Sequence, residues 1–360
     1  MNSLYYSLTV PDAGDRQKVV DRIHDSTEFW DEERLFQTEG YMKHHRPLFT
    51  RLPFPYYHIP AGARNLMLRA YKGLDGVRGR EFPAWPIEPT LDSKRRLIWR
   101  LAAGLAGVEL RAMPYPGVSR FACLLTHDID SGAAQTAVDS IRAVEGRYRV
   151  KSAWSFASGR YEPSQSAISR LVADGCEILS HGDGHDGKLP YLRDEKIRAA
   201  LKDIFVKMPW LHQHIYGFRA ELAMRGGNLQ RILPEFFDYD MSYPDTEMYG
   251  PYGRTSGCCT VYPFMLDNGM LEIPFTLPQD FFLLKVHRVG LDGLLRIWKE
   301  KVDYIEKLHG VATVCLHPDH VQDIPGLLAV YDEFIRYVTS KPVWMTTPHQ
   351  MYEFCKGRMS

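Results

Sequence analysis

One segment of this sequence, Phe121-Ala-Cys-Leu-Leu-Thr-His-Asp-Ile-Asp130, begins as an apolar run of strand length and ends in two carboxylates separated by one residue. Such a run predicts a buried strand, with residues 126–130 just beyond its C-terminal end. In α/β proteins, loops converge on a crevice at that edge of the sheet. Asp128 and Asp130 would repel each other in a partly dry pocket unless a cation lay between them or one carried a proton. Taken alone, the pair also fits an ordinary surface turn.

A second segment, residues 175–185, repeats the pattern of a short apolar strand followed by a polar loop. His181 and His185 are four residues apart, a spacing that would place both on one face of a helix. Gly182 and Gly184 disfavour a helix, so we expect a tight loop that turns both imidazoles toward one point. Two His and one carboxylate suit zinc or a similar divalent ion and leave room for water. The two segments together favour a metal site over a surface turn.

Four motifs, in this order along the chain, resemble those of the polysaccharide deacetylase family, which is carbohydrate esterase family 4 or the NodB homology domain. The resemblance covers about residues 118–355 and implies a distorted, incomplete (β/α) barrel. The motifs are Thr126-His-Asp-Ile-Asp130, His181-Gly-Asp-Gly-His185, Gly217-Phe-Arg-Ala220 and Thr313-Val-Cys-Leu-His317-Pro.

The resemblance also implies a site and its chemistry. Asp130, His181 and His185 match the family's metal ligands, and the implied cofactor is a divalent metal, expected to be Zn²⁺. Asp128 matches the general base that takes a proton from water. His317 matches the general acid that protonates the departing amine.

Other residues would support this chemistry. Arg219 matches the motif arginine and would keep the base ionised, although it could also form a purely structural salt bridge. His317 could instead close a buried strand through a backbone hydrogen bond. Asp280, after a predicted strand, is the candidate carboxylate beside His317, and Asp319 or His320 could orient the ring. A backbone N–H just past the strand predicted within 239–243 is expected to complete the oxyanion site.

The sequence departs from the family pattern in three places. Ile129 separates two aspartates that are adjacent in the common first motif. Glu221 stands where the arginine motif usually has Pro, which would place an extra carboxylate near the rim of the site and the substrate. The family's Asp-x-x-Asp-Trp motif has no clear match. These differences bear on the substrate more than on the type of reaction.

From residue 121 onward, strand-like and helix-like segments alternate, as in repeated βα units. This α/β pattern favours a barrel over an open Rossmann sheet, and no Gly-x-Gly-x-x-Gly follows a strand. We therefore expect two parts. Residues 1–117 form a basic and aromatic N-terminal extension that packs on the main domain, and residues 118–360 form the deacetylase-like barrel.

The extension contains an unusually basic stretch. Residues 43–80 hold eight Lys or Arg and one acid, Asp75, with aromatic residues interleaved. The stretch could be a solvated wrap around the main domain. It could also make a peripheral contact with anionic lipid, or clamp a phosphate-bearing substrate.

Composition limits the classes of function. A hydrophobic content of 45% with 24% charged residues is ordinary for a globular protein, and a formal net charge of zero gives no reason to expect nucleic-acid binding. The start of the sequence lacks a basic region followed by a long apolar run, so we expect no signal-peptide export. The six cysteines are scattered, which suits reduced thiols and a cytoplasmic protein.

The leading hypothesis is a metal-dependent hydrolase that removes an N-acetyl or other N-acyl group from an amino sugar. A cytoplasmic location makes a nucleotide-linked sugar, a lipid-linked sugar or a soluble glycan precursor of a surface polysaccharide the expected substrate. The alternatives are hydrolysis of another C–N bond, in a formamide or cyclic amide, and a catalytically silent carbohydrate-binding protein. The sequence indicates no oligomeric state.

Overall fold

The main domain is built on a curled sheet. The computed structural model describes residues 4–24, 46–77, 91–211, 214–245, 257–258 and 260–358. Within these residues the strands are β1 (Phe121–Ile129), β2 (Ser152–Phe156), β3 (Glu177–Ser180), β4 (Ile215–Phe218), β5 (Tyr239–Asp240), β6 (Phe264–Met265), β7 (Leu271–Glu272), β8 (Val311–Cys315) and β9 (Val343–Met345). Their order is β6-β7-β5-β4-β3-β2-β1-β8, and β9 pairs with the start of β1. All pairs are parallel except β6 with β7.

Helices follow most strands, as repeated βα units require. The described α-helices are α1 (Leu4–Thr9), α2 (Ala13–His24), α3 (Ala61–Val77), α4 (Leu91–Ala106), α5 (Val138–Arg147), α6 (Gln165–Ala173), α7 (Asp194–Lys207), α8 (Gly227–Ile232), α9 (Gly290–Leu308), α10 (Pro318–Asp323), α11 (Leu327–Thr339) and α12 (Pro348–Lys356). One turn of π-helix covers Phe281–Val286. None of the described helices is both long enough and apolar enough to span a membrane.

Strand β1 is longer than the sequence predicts. All nine of its residues are buried, and its ladder to β2 continues through the pairing of Asp128 with Ser155. Residues 126–129 therefore lie inside the strand and not beyond it. Because side chains alternate along a strand, Thr126 and Asp128 share one face, where both contact Arg219, while His127 lies on the other face.

The two ends of the sheet meet through irregular hydrogen bonds. The sequence predicts one strand over 271–276, but regular pairing ends after two residues and only Phe275 forms a further bridge, to Pro244. The next two backbone N–H groups, of Thr276 and Leu277, donate to the Thr313 carbonyl of β8 at 3.1 and 3.0 Å. The result is the distorted barrel that was expected.

One predicted helix, over 324–339, starts three residues later than expected, at Leu327, and a separate short helix precedes it. The structure has the short helix α10 and the longer α11, which begins after Gly326. Gly326 has φ of 90°, in the left-handed region that favours glycine, so a continuous helix through it is excluded. Helix α10 begins directly after His317 and fixes the chain direction there.

Part of the N-terminal extension packs on the main domain. The indole nitrogen of Trp99 in α4 donates to the Thr9 hydroxyl at 3.1 Å, which ties α4 to α1. The ring of Tyr5 in α1 lies 5.2 Å from that of Tyr262. Helix α1 is thereby held between α4 and the main domain.

A buried polar network supports the outer face of β1. The Glu145 carboxylate of α5 is fully buried and lies 2.8 Å from Nε2 of His127 and 2.5 Å from the Arg142 guanidinium. It also accepts hydrogen bonds from the hydroxyls of Ser152 and Tyr331 at 2.7 and 2.8 Å. Burial alone would raise the pKa of Glu145, but His127 and these donors lower it. The carboxylate is thus an anion that contacts three buried groups and the partly buried Arg142.

Removing this carboxylate should destabilise the fold strongly. Glu145→Ala removes the anion that contacts the buried His127 imidazole and the partly buried Arg142 guanidinium, and we expect a loss of about 3–5 kcal/mol in the free energy of unfolding, measured by urea denaturation. The control is Glu300→Ala, which breaks an exposed pair with Arg296 on α9 and should change stability by less than about 0.5 kcal/mol. Similar losses in both variants would contradict a central role for Glu145.

Candidate active site

Three predicted metal ligands meet at the C-terminal edge of the sheet. Asp130 follows β1, His181 follows β3, and His185 lies in the loop beyond. Nε2 of His185 lies 3.0 Å and Nε2 of His181 lies 3.4 Å from Oδ1 of Asp130. Both imidazoles are almost fully buried, while the Asp130 side chain is 27% exposed. The three side chains therefore converge on one point that solvent can reach.

Hydrogen bonds set the orientation of His181. Its Nδ1 lies 3.0 Å from the backbone carbonyl of Arg219, which only accepts, so Nδ1 carries the proton and Nε2 presents a lone pair. Oδ1 of Asp130 is buried and accepts no regular hydrogen bond from the described residues. A buried carboxylate oxygen that lies beside an imidazole lone pair fits a divalent cation.

His185 has a different partner. Its Nδ1 lies 2.7 Å from a guanidinium nitrogen of Arg160, which only donates, so Nε2 carries the proton and faces Asp130. Burial lowers the pKa of His185, which opposes a second proton on the ring. A cation at Nε2 would require the proton to move to Nδ1 and Arg160 to turn away. No sequence motif points to Arg160.

Glu221 lies beneath the ligand loop. The carboxyl is 1% exposed and accepts backbone N–H groups of Asp186 and Gly187. Burial, and then the neighbouring carboxylates, raise its pKa well above the usual range. Gly182, with φ of 74°, makes the tight turn above it. Glu221 therefore lies near the site, as expected, but it supports the ligand loop from below and is not exposed at the rim.

Asp128 is held as a buried carboxylate. Its Oδ1 accepts hydrogen bonds from Arg219 at 2.9 Å and from the Ser155 hydroxyl at 2.5 Å. Its Oδ2 accepts the thiol proton of Cys315 at 3.2 Å. Burial alone would raise the pKa of Asp128, but the Arg219 guanidinium, with His181 and His317, holds it well below its usual range. The group is an anion throughout the neutral range.

Two of these partners, Ser155 and Cys315, are not predicted from the sequence. Ser155 stands opposite Asp128 in the β1–β2 ladder, and Cys315 lies on the other neighbouring strand, β8. The sequence indicates Cys315 only as a small core residue, yet its thiol donates to Asp128. Burial raises the pKa of Cys315 well above the usual range, so it remains a donor. These groups meet only because β2 and β8 pair with β1 in this register.

His317 is paired with Asp280. Nδ1 of His317 lies 2.5 Å from one oxygen of Asp280, and its backbone N–H donates to the other at 3.0 Å. Nδ1 of His320 also lies 2.9 Å from this carboxylate, which is fully buried. Burial would lower the pKa of His317, but Asp280 raises it to about 10. His317 is therefore a cation at neutral pH, and a ring nitrogen lies within 4.8 Å of an oxygen of Asp128.

Asp319 lies away from the His317 ring. It accepts a hydrogen bond from the hydroxyl of Ser131 and is partly exposed. Burial raises its pKa, and the Asp130 charge adds to the shift. The carboxylate that orients His317 is thus Asp280, and the expectation that Asp319 might do so is wrong.

The expected backbone donor next to β5 is also engaged elsewhere. The N–H of Met241 donates to the Phe218 carbonyl at 2.8 Å, and that of Tyr243 donates to Glu272 at 3.0 Å. Both contacts belong to the sheet and its buried carboxylates. The N–H groups of Met241 and Tyr243 are therefore not free to serve as the expected oxyanion donor.

Comparisons with solved structures identify the fold. A polysaccharide deacetylase from Mycobacterium smegmatis is 18% identical, with a TM-score of 0.54 over 68% of this chain and 92% of that chain. A polysaccharide deacetylase from Pseudomonas aeruginosa PAO1 is 18% identical, with a TM-score of 0.55 over 66% and 92%. Puue allantoinase is 18% identical, with a TM-score of 0.54 over 66% and 91%. No family model and no curated protein sequence matches the chain. The NodB-type barrel predicted from the motifs is confirmed.

The site separates metal ligands from the candidate base, and metal analysis can test this. Asp130→Ala, His181→Ala and His185→Ala should each lower bound Zn²⁺ several-fold, because three protein ligands leave no spare one. Asp128→Asn should retain the metal, since its oxygens are occupied by Arg219, Ser155 and Cys315. The measurement is elemental analysis of the four purified variants, each dialysed against the same concentration of zinc. Loss in Asp128→Asn with retention in His185→Ala would reverse the division of roles.

Proposed function

We propose that this protein is a metal-dependent hydrolase that removes an N-acetyl group from an amino sugar, in the biosynthesis of a surface polysaccharide or glycoconjugate. One observation carries the proposal. A buried carboxylate that stays ionised, Asp128, faces a buried imidazole that stays protonated, His317, beside a cluster of three potential metal ligands. Two titratable groups whose pKa values are driven in opposite directions are typical of a base and an acid that act together.

The residues divide the work as follows. A divalent ion held by Asp130, His181 and His185, which we propose to be Zn²⁺, would polarise the acyl carbonyl and lower the pKa of a water. Asp128 takes the proton from the attacking water, and Arg219 keeps it ionised until then. His317 donates its proton to the sugar nitrogen as the C–N bond breaks. Asp280 stabilises the cationic ring before that transfer.

A second candidate reaction is hydrolysis of another C–N bond, in a cyclic amide or formamide. The similarity to an allantoinase favours it as strongly as the similarity to deacetylases favours the first, since both structures share the same barrel. The same base and acid would serve either reaction. A catalytically silent carbohydrate-binding protein is disfavoured because Asp128, Asp130, His181, His185 and His317 are all present and meet at one site.

Variants of His317 test the proposed reaction. An amide nitrogen leaves poorly unless it is protonated, so His317→Ala should lower kcat for acetate release from an N-acetylated sugar roughly 10²–10⁴-fold. It should affect 4-nitrophenyl acetate far less, because that leaving group needs no proton. The measurement is acetate release by zinc-loaded protein from N-acetylated sugar nucleotides and lipid-linked sugars, followed by mass spectrometry, with allantoin as the competing substrate.

The control for this experiment is Asp128→Asn, which should be inactive on both the amide and the ester because water activation is lost. Equal loss on both substrates in His317→Ala would assign His317 another role, such as binding the intermediate. Absence of turnover on all N-acyl sugars, with turnover of allantoin, would favour the second reaction.

The pH profile should depend on Asp280. The acid form of His317 is lost as pH rises through its pKa, so the alkaline limb of kcat reports this group. Asp280→Asn removes the carboxylate that raises the pKa, so the alkaline limb should move to lower pH by about one unit or more. The acidic limb should not shift, because Asp128 still forms its ion pair with Arg219. An unchanged alkaline limb at equal metal loading would show that His317 does not set it.

A further inference from the structure

The N-terminal extension also reaches the candidate active site. Residues 47–58, here called the lip, contain two short 3-10 helices, Leu48–Arg51 and Tyr56–His58. The lip lies against the loop that follows His185. Lys188 of that loop lies 3.4 Å from the Phe54 carbonyl, and a Cβ on Gly187 would meet the Phe49 ring at 3.0 Å.

Two guanidinium groups lie where the lip approaches the ligand cluster. Arg160 packs over the Tyr57 ring, 4.5 Å from its centroid, and contacts His185 as described. Arg64, in the first turn of α3, packs over the Tyr56 ring at 5.2 Å. The described residues provide no carboxylate partner for either arginine, and Nε of Arg64 is buried without an acceptor.

The positive charges of Arg64 and Arg160 lack a compensating carboxylate among the described residues. A cation removed from water is unfavourable unless an anion or an acceptor compensates it. The phenol of Tyr56 lies near enough to Asp130 to sense its charge, and burial, then Asp130, raises its pKa, so it remains a hydrogen-bond donor. Arg69, another basic residue of the 43–80 stretch, is already engaged, since it donates to the Lys285 carbonyl at 3.1 Å. Arg64, which packs on Tyr56, is therefore an arginine of α3 for which the described residues provide no hydrogen-bond acceptor.

We propose that Arg64 and Arg160 form an anion-binding subsite beside the ligand cluster, and that it recognises a phosphate group carried by the amino-sugar substrate. This inference rests on the proposed function and narrows its substrate class. Two guanidinium groups match a phosphate ester, which carries a charge near −2 at neutral pH, better than a single carboxylate. The rings of Tyr56 and Tyr57, which hold the two arginines in place, would border the sugar.

Binding to metal-free protein tests the subsite without requiring turnover. The probes are N-acetylglucosamine 1-phosphate and the neutral methyl glycoside of N-acetylglucosamine, titrated calorimetrically in the presence of a chelator so that phosphate cannot bind a metal. We expect the phosphorylated sugar to bind about tenfold or more tightly than the neutral one, with a preference that weakens as salt is added. Arg64→Gln should remove most of that preference and leave binding of the neutral sugar unchanged.

Two further variants make the test specific. Arg51→Gln, an exposed arginine of the lip, should behave as wild type and controls for net charge. Arg160→Gln should also lose the preference for the phosphorylated sugar. Its zinc content should not fall, because Arg160 favours the His185 tautomer that carries a proton on Nε2, and that nitrogen cannot then bind a metal. Equal affinity for the two sugars in wild type, or equal behaviour of Arg64→Gln and Arg51→Gln, would overturn the subsite.

A further measurement asks whether the phosphate belongs to a soluble sugar or to a lipid headgroup. Vesicles of phosphatidylcholine with and without phosphatidylglycerol distinguish a lipid surface from a soluble ligand. Loss of binding to anionic vesicles in Arg64→Gln, with unchanged affinity for the sugar phosphate, would overturn the subsite in favour of membrane contact. The proposed function and the subsite can fail separately. A preference for the phosphorylated sugar without deacetylation would contradict only the proposed function. Deacetylation of neutral sugars alone would contradict only the subsite.

Discussion

The ion pair between Arg219 and Asp128 holds the site together. Arg219 is buried at the end of β4 and reaches across the barrel to β1, where one nitrogen donates to both Asp128 and Thr126. Its Nε donates to the Met241 carbonyl beyond β5 at 3.2 Å, and its own carbonyl accepts the Nδ1 proton of His181. One residue thus fixes the charge of the candidate base and the orientation of a candidate metal ligand. A lysine could not replace it, because a single ammonium lacks the fork of donors that spans three strands.

The second consequence of this pair is electrostatic. Burial works against the charge on both groups, since it raises the pKa of Asp128 and lowers that of His317, and Arg219 and Asp280 are the main groups that counter it. Each reacting group therefore has a dedicated partner of opposite charge on a different strand or loop. The partners keep the base and the acid in opposite protonation states although ring nitrogen and carboxylate lie within 4.8 Å. Opposite protonation states at this distance are what a base and an acid that act together require.

The sequence predicts those features that depend on the order of residues along one strand. Parallel strands bring their C-terminal ends to one edge, so Asp128, Asp130, His181, Arg219 and His317 were expected together, and the barrel followed from the alternation of strands and helices. What the sequence could not provide was lateral register. Ser155 and Cys315 reach Asp128 only because their strands pair with β1 in one alignment. Glu221 differs from expectation because burial and two backbone donors, not its place in the motif, decide its role. The contact of the lip with the loop after His185 joins residues more than a hundred positions apart.

The tautomer of His185 connects the lip to the ligand cluster. While Arg160 donates to Nδ1, the proton sits on Nε2 and opposes a cation; once the proton moves to Nδ1, Arg160 loses its acceptor and its guanidinium must find another. An anion at the proposed subsite would provide that acceptor. A bound metal and a bound anion then favour the same position of Arg160, so each should strengthen the binding of the other. A charged substrate bound beside the N-terminal extension, outside the barrel's own motifs, would in this way favour metal binding at the candidate active site.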